Sequence, residues 1–408
     1  MTPATANPGH LKLELAASGV HLHDSVERHA AACRPPRLEG HTAGEVEIVL
    51  PGDVVASAVV DAPDRARSPF VLSAHGDQFT LEAHAATVDV RLLAQPAFYR
   101  LTTSSGVPMS RVGTTHGSCI AINPTFACGY SLRGAPCRFC RNGTGISLQD
   151  GFTVSAQDVI EVVRAAFAEG AIEFVYFNLA YVGTEDAGIA FLEPYIRAVK
   201  RHFDTLVAVQ IHPPKDNRWI DRTYAMGVDA LSYAVEVHDV AALGRLCAGR
   251  VRYIGRDRYY EALQYAATVF PSGTVWSDLV VGLEPPESTA RGIDTLVGLG
   301  VLPVLSLFRP ATQGPGHAGA LETVIPVYAH LFEKVRDAKI NMGWVRDLSF
   351  AITPLEARYF AGDDARVAVA WQQFYRSRLG TIAARNLARL RRQLRVRQVS
   401  DSFDSSGL

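Results

Sequence analysis

The stretch CIAINPTFACGYSLRGAPCRFC, residues 119–140, decides how this chain is read. It holds four of the six cysteines, whereas Cys33 and Cys247 stand alone. Cys137-Arg-Phe-Cys140 sets two thiolates on one tight turn, and Cys128 reaches in from the preceding loop in a C-x8-C-x2-C order. Three thiolates suit a [4Fe–4S] cluster bound through three of its irons. Such clusters are ordinarily ligated by four cysteines. A three-cysteine site therefore keeps one coordination position for a ligand, as catalytic metal sites do. A second reading stays open: Cys119 would supply a fourth thiolate to a closed zinc or Fe–S site of a non-catalytic binding protein. Cys119 opens the apolar run CIAIN, where a buried thiol behaves as a small hydrophobe.

From Cys119 onward, apolar runs alternate with helical patterns, the mark of repeated βα units. The expected strands are CIAIN, EFVYFNLA, TLVAVQIH, ALSYAVEV, VWSDLVVG and VLPVLSLF. Between them lie helical patterns such as SAQDVIEVVRAAFAEG, which begins with Ser155 placed to cap. Strands that are apolar along their length suit a parallel sheet covered on both faces or a filled barrel lumen. Six such units predict an α/β fold, a partial (β/α)6 TIM-like barrel, over residues 101–320. Ahead of it, residues 1–100 carry short β-rich runs between Pro, Gly and Asp breakers, from GEVEIVLPG to TVDVRLL. They predict a small, mostly-β domain of unassigned role, with the first ten residues disordered. Residues 321–408 predict a helical extension ending in an arginine-rich helix. Its arginines read as a solvated face, with Leu387, Leu390 and Leu394 packed inward and SDSFDSSGL a disordered end.

Composition narrows the class. Forty basic residues stand against 41 acidic ones in 408, and 48% of the chain is hydrophobic. That is ordinary globular usage, and it argues against nucleic acid or an anionic membrane as the main partner. No apolar run approaches the roughly 20 residues a membrane helix needs, and the N-terminus lacks a signal-peptide pattern. A cytoplasmic location is expected.

The Cys-x-aromatic-Cys end of the motif resembles the radical S-adenosylmethionine (SAM) superfamily, although the common spacing there is C-x3-C-x2-C. More narrowly, residues 98–140, FYRLTTSSGVPMSRVGTTHGSCIAINPTFACGYSLRGAPCRFC, resemble the radical SAM proteins of nitrilase-containing bacterial gene clusters. The resemblance implies a [4Fe–4S] cluster on Cys128, Cys137 and Cys140 that cleaves S-adenosyl-L-methionine reductively. The resulting 5′-deoxyadenosyl radical would abstract hydrogen from a small polar substrate. It also implies an electron donor such as flavodoxin or ferredoxin. Phe139 would lie against the adenine, and backbone at Leu179, Ala180 and Tyr181 would meet the SAM amine.

The remaining candidates sit near expected strand ends. Gln210 and His212 share one face by alternation, which suits SAM or substrate contact, His212 being a catalytic candidate or a structural residue. Glu236 is a carboxylate in an apolar strand, costly to bury without a partner. Related enzymes place a SAM-binding acid there. Arg252, Arg256 and Arg258 follow, any one of which suits a carboxylate. Gly282 permits close backbone approach, and the resemblance puts adenine beside it. Arg309, before the Pro310–Gly316 turn, is a candidate for a carboxylate or phosphate and for catalysis, or else pairs with a loop acid. His116-Gly117 suits either substrate binding or a turn between domains.

Overall fold

A computed structural model describes residues 7–26, 45–60, 68–83, 86–125, 127–140, 153–309, 318–343 and 348–405. The six expected barrel strands all form, as β8 (Cys119–Ile122), β9 (Phe174–Asn178), β10 (Leu206–Gln210), β11 (Ala230–Ser232), β12 (Val275–Val281) and β13 (Leu302–Leu307). They are parallel and adjacent in chain order, from β8 to β13. A seventh strand, β7 (Gly113–His116), adds to β8 antiparallel and was not anticipated. Only four residues long and polar in part, it carries too little periodicity to be legible.

Alternation along these strands sorts two cores. Ile120, Ile122, Val175, Phe177, Val207 and Val209 face the outer helices and join the main core. Cys119, Ala121, Phe174, Tyr176, Leu206 and Ala208 face inward and pack together in the lumen. Helix Ala156–Ala168 starts as expected: Ser155 and Asp158 form a reciprocal capping box. Helices Ile189–His202, Arg218–Ala225, Arg256–Val269 and Pro286–Gly298 follow their strands in turn.

The N-terminal strands form a separate six-stranded sheet in the order β1-β4-β5-β6-β2-β3. These are β1 (His21–Leu22), β2 (Glu45–Leu50), β3 (Val54–Val59), β4 (Phe70–His75), β5 (Gln78–Ala83) and β6 (Ala86–Leu92). The sheet has its own apolar core, onto which Leu11 and Leu15 of helix Pro8–Ser18 pack. That helix starts at Pro8 behind an Asn7 cap, so the disorder expected through residue 10 does not extend that far. Gly117 forms the β7–β8 turn at φ +58, and its N–H donates to the Glu47 carboxylate of β2 at 3.0 and 3.1 Å. The turn that His116-Gly117 makes therefore lies inside the seven-stranded sheet and touches the N-terminal sheet; it does not join the two domains.

The C-terminal extension is helical over Ala318–Asp337, Arg366–Arg376 and Arg378–Ser405, the last running through most of the tail expected to be disordered. Its packing reverses the expectation. Leu387, Leu390 and Leu394 are exposed, while Arg392 turns inward to the Tyr224 and Val228 carbonyls and Asp229. Among the described residues, no helix is long and apolar enough to cross a membrane.

Candidate active site

Strand β8 ends at Ile122, and the chain then passes Asn123 and Thr125 to Cys128, which precedes the short helix Gly129–Leu132. Two glycines let this loop sit close to the barrel. Gly129 N–H donates to the Tyr181 carbonyl at 2.6 Å, and a Cβ there would lie 2.8 Å from that oxygen. At Gly249 a Cβ would lie 2.4 Å from the Ala135 carbonyl. Arg138 N–H donates to the Leu246 carbonyl at 2.9 Å, tying the CRFC turn to the segment after β11.

A cavity of about 820 Å³, part of it open to solvent, lies at the carboxyl ends of the strands. Cys128, Cys137 and Cys140 line one side; Leu179, Ala180, Gln210, His212 and Glu236 line the rest. Eight of the sequence candidates thus meet at one place. Carboxyl-end placement is where barrel sites gather. Tyr181 stands just behind, stacked on Tyr130 at 4.0 Å between ring centroids. Phe139 is half-buried against the same cluster of side chains.

Glu236 adopts φ +63, a left-handed conformation that costs a non-glycine residue about 1–3 kcal/mol. The surrounding backbone enforces it: Glu236 N–H donates to the Asp278 carbonyl at 2.7 Å, and Val280 N–H donates to the Glu236 carbonyl at 2.8 Å. Its carboxylate lies 2.5 Å from Arg250, whose other terminal nitrogen donates to the Ala234 carbonyl. Burial pushes the Glu236 pKa up and Arg250 opposes that rise.

Arg250 also reaches Cys137. The Cys137 thiol is pulled below its ordinary value, first by a hydrogen bond from Cys247, then, against burial, by the Arg250 charge. Arg250 was missed in the sequence, where Arg252, Arg256 and Arg258 were weighed instead. Those three serve elsewhere: Arg252 lies over the Tyr253 ring, Arg256 over the Tyr260 ring, and Arg258 donates to the Pro214 carbonyl. No periodicity distinguishes Arg250. Its only sequence signal was its place three residues after Cys247.

His212 is buried, shares a 2.6 Å hydrogen bond with Tyr259, and has its pKa driven well below the ordinary value by burial and by Arg250. It is therefore neutral at pH 7. Below it, Tyr176 donates to Gln210 at 2.6 Å, and Gln210 donates to Asp278 at 2.6 Å. Asp278 rises to about 7, chiefly through burial and then through the Glu236 charge. No role was expected of it from the sequence.

Besides Tyr181 and Phe139, which stand next to the cavity, Gly282, Arg309 and Cys119 do not join its lining. Gly282 has φ +99 in the turn after β12, beside Phe308. Arg309 lies 3.7 Å from Glu45, the first residue of strand β2 in the N-terminal sheet, so its acid is a strand residue and not the loop acid of the alternative. The turn following it, Pro310–Gly316, lies outside the described residues, as does Cys33. Cys119 occupies the amino end of β8, fully buried, with its thiol donating to the His116 carbonyl at 3.2 Å. Four strand steps, about 13 Å, separate it from Asn123 on the cavity wall. Cys119 is thus a lumen residue at the far end of the strand from the cavity wall.

The donor set fits an iron–sulfur cluster with an amino-acid ligand. Ser131 Oγ and Arg250 Nε are buried here without a hydrogen-bond partner in the protein, and such groups are costly to leave unmet. Among the described residues, no three His, Cys, Asp or Glu side chains converge for a single metal ion. A polynuclear cluster spreads its ligand sulfurs more widely than one ion does.

Fold and cavity together define a parallel half-barrel carrying a thiol-lined pocket at the carboxyl ends of its strands. No protein-family model matches the chain. A bacteriochlorophyllide c C-7(1)-hydroxylase of Chlorobaculum limnaeum is 22% identical over 148 residues, 35% of this chain and 37% of that protein. The chain thus matches little more than a third of this relative's length. Among solved structures, methylornithine synthase (PylB) has a TM-score of 0.43 at 14% identity, over 54% of this chain and 63% of that one. A radical SAM methyltransferase from Sphaerobacter thermophilus has a TM-score of 0.37 at 15% identity, over 67% and 76%.

Proposed function

We propose that this chain is a radical SAM enzyme whose Cys128, Cys137 and Cys140 hold a [4Fe–4S] cluster. The observation that carries the reading is the meeting of these three thiols with Glu236, Arg250, Gln210 and His212 in one cavity. When bound, the cluster would supply the electron that splits SAM into methionine and a 5′-deoxyadenosyl radical, which takes hydrogen from a small polar substrate. The electron would come from a flavodoxin or ferredoxin. The narrower kinship with the nitrilase-cluster proteins rests on residues 98–140 alone.

The chain's own groups have distinct parts in this reading. Arg250 meets the SAM carboxylate through Nε, its buried nitrogen without a protein partner, while its terminal nitrogens hold Glu236 and the Ala234 carbonyl. Glu236 and the backbone at Leu179 and Ala180 accept from the SAM amine or ribose. Phe139 offers an apolar face to adenine. Gln210 orients polar substrate groups from its position on Asp278, and neutral His212 donates or accepts one hydrogen bond without adding charge. Tyr130 and Tyr181 stack behind the cysteine loop and limit water.

Anaerobic reconstitution followed by dithionite and SAM is expected to yield 5′-deoxyadenosine, and Cys137→Ala to abolish it. A fully loaded chain that leaves SAM intact contradicts the proposal.

A further inference from the structure

Below the cysteine cavity the lumen is not filled. Barrel interiors are ordinarily packed by layers of bulky side chains, and protein interiors hold few voids larger than a water molecule. Here Ala208 of β10 and Ala230 of β11 stand at inward positions. A second cavity of about 750 Å³, part of it open to solvent, occupies the space they leave. Phe174, Leu206, Ala230 and Leu302 line it and are each the first residue of a strand, so it lies at the amino ends. Phe174, Tyr176, Trp276 and Phe350 give its wall four aromatic rings. Leu348 and Phe350 come from the C-terminal extension, which runs beside β13: the backbones of Leu305 and Ile352 exchange hydrogen bonds of 3.0 and 2.8 Å. The N-terminal domain holds that segment. Ser57 N–H of β3 donates to the Ser349 carbonyl at 2.9 Å, and Lys12 to the Leu348 carbonyl at 2.7 Å.

We propose that this lumen cavity is a second binding site, taking a flat, largely apolar ring compound that donates one hydrogen bond to Asp278. Small-molecule pockets commonly measure about 300–1,000 Å³, with apolar and aromatic walls and a few convergent polar groups. Aromatic walls hold a ring through offset or edge-to-face contacts. Of the two acids in this wall, Asp229 is already held by Lys200 and Arg392. The partners of Asp278 are the uncharged Gln210 and Ser232, at 2.6 and 3.4 Å. Its carboxyl can therefore accept from an N–H or O–H. Tyr176 and Asp278 line this cavity, whereas Gln210, hydrogen-bonded to both, lines the cysteine cavity. The three side chains form a partition between the two sites. The lower site stands whether or not the cysteines hold a cluster.

The test titrates indole and benzofuran, alike in shape but with an N–H only in indole, into the full chain purified anaerobically, without SAM. Calorimetry should show saturable binding of indole near one equivalent. Benzofuran should bind about three- to tenfold more weakly, the scale of one modest hydrogen bond. Ala208→Leu and Ala230→Leu fill the space and should weaken indole by roughly tenfold or more, with the circular dichroism of wild type. Photolabelling of the wild type with 5-azidoindole, mapped by mass spectrometry, decides even where a leucine variant does not fold. The label should fall on peptides carrying Tyr176, Trp276 or Phe350. Absence of saturable binding, a label outside the lumen, or folded leucine variants with wild-type affinity overturns the site. Equal affinity for the two probes overturns the hydrogen bond to Asp278.

Discussion

Asp278 shows how a single side chain carries the electrostatics of the lumen. Its carboxyl has a pKa of 3.8 when unfolded and about 7 in the folded barrel, where burial and Glu236 both disfavour its charge. Between those values the folded chain binds a proton that the unfolded chain has lost, so stability falls as pH rises through that window. Asp278→Asn is expected to remove this part of the slope, read as the difference in Tm against pH between variant and wild type. An identical slope in both would contradict the assignment. No role was read for Asp278 in VWSDLVVG, although the cost of burying a carboxylate in an apolar run applies to it as it does to Glu236. Glu236 was legible from the cost of burying a carboxylate. Arg250, its partner, was not, since the two meet only through the turn after β11.

The strand is the scale at which the cysteines separate. Alternation along β8 puts Cys119 on the lumen face at its amino end, while the loop bearing Cys128 leaves from the carboxyl end. Cys119→Ser is therefore expected to leave iron content unchanged, whereas alanine at Cys128, Cys137 or Cys140 lowers it; metal analysis after reconstitution reads both. Retention of zinc that depends on Cys119 would favour the closed site. The βα grammar made all six parallel strands and the following helices legible, because apolar runs and caps are local signals. Ser155 is an example: its replacement by alanine removes the capping box and is expected to cost about 1 kcal/mol in denaturant unfolding. Strand β7 and the two-residue β1 were not legible. Short strands owe their existence to pairing rather than to their own sequence.

Across the whole molecule, the two sheets are joined by polar contacts that sequence patterning does not reveal. Lys12 of the first helix is buried against Glu356 at 2.7 Å and also donates to the Leu348 carbonyl. Glu356 in turn accepts from Thr353 N–H and Oγ1. Breaking such a pair by removing one partner leaves an uncompensated buried charge. Lys12→Met is expected to destabilise the protein by about 3 kcal/mol, and Lys12→Met with Glu356→Leu to recover part of that loss, both measured by urea unfolding. A single variant as stable as wild type would show that the contact carries little. Residues 344 intervals apart in the chain meet here, a pairing no local pattern anticipates.

On the proposed reading, three cysteines leave one iron of the cluster open to SAM. EPR of the anaerobically reconstituted, dithionite-reduced chain with and without SAM tests it most directly. Iron and sulfide are expected at cluster stoichiometry, with a reduced-cluster signal whose g-values and shape change when SAM is added. A signal indifferent to SAM, or a chain that binds zinc and no iron, would contradict it.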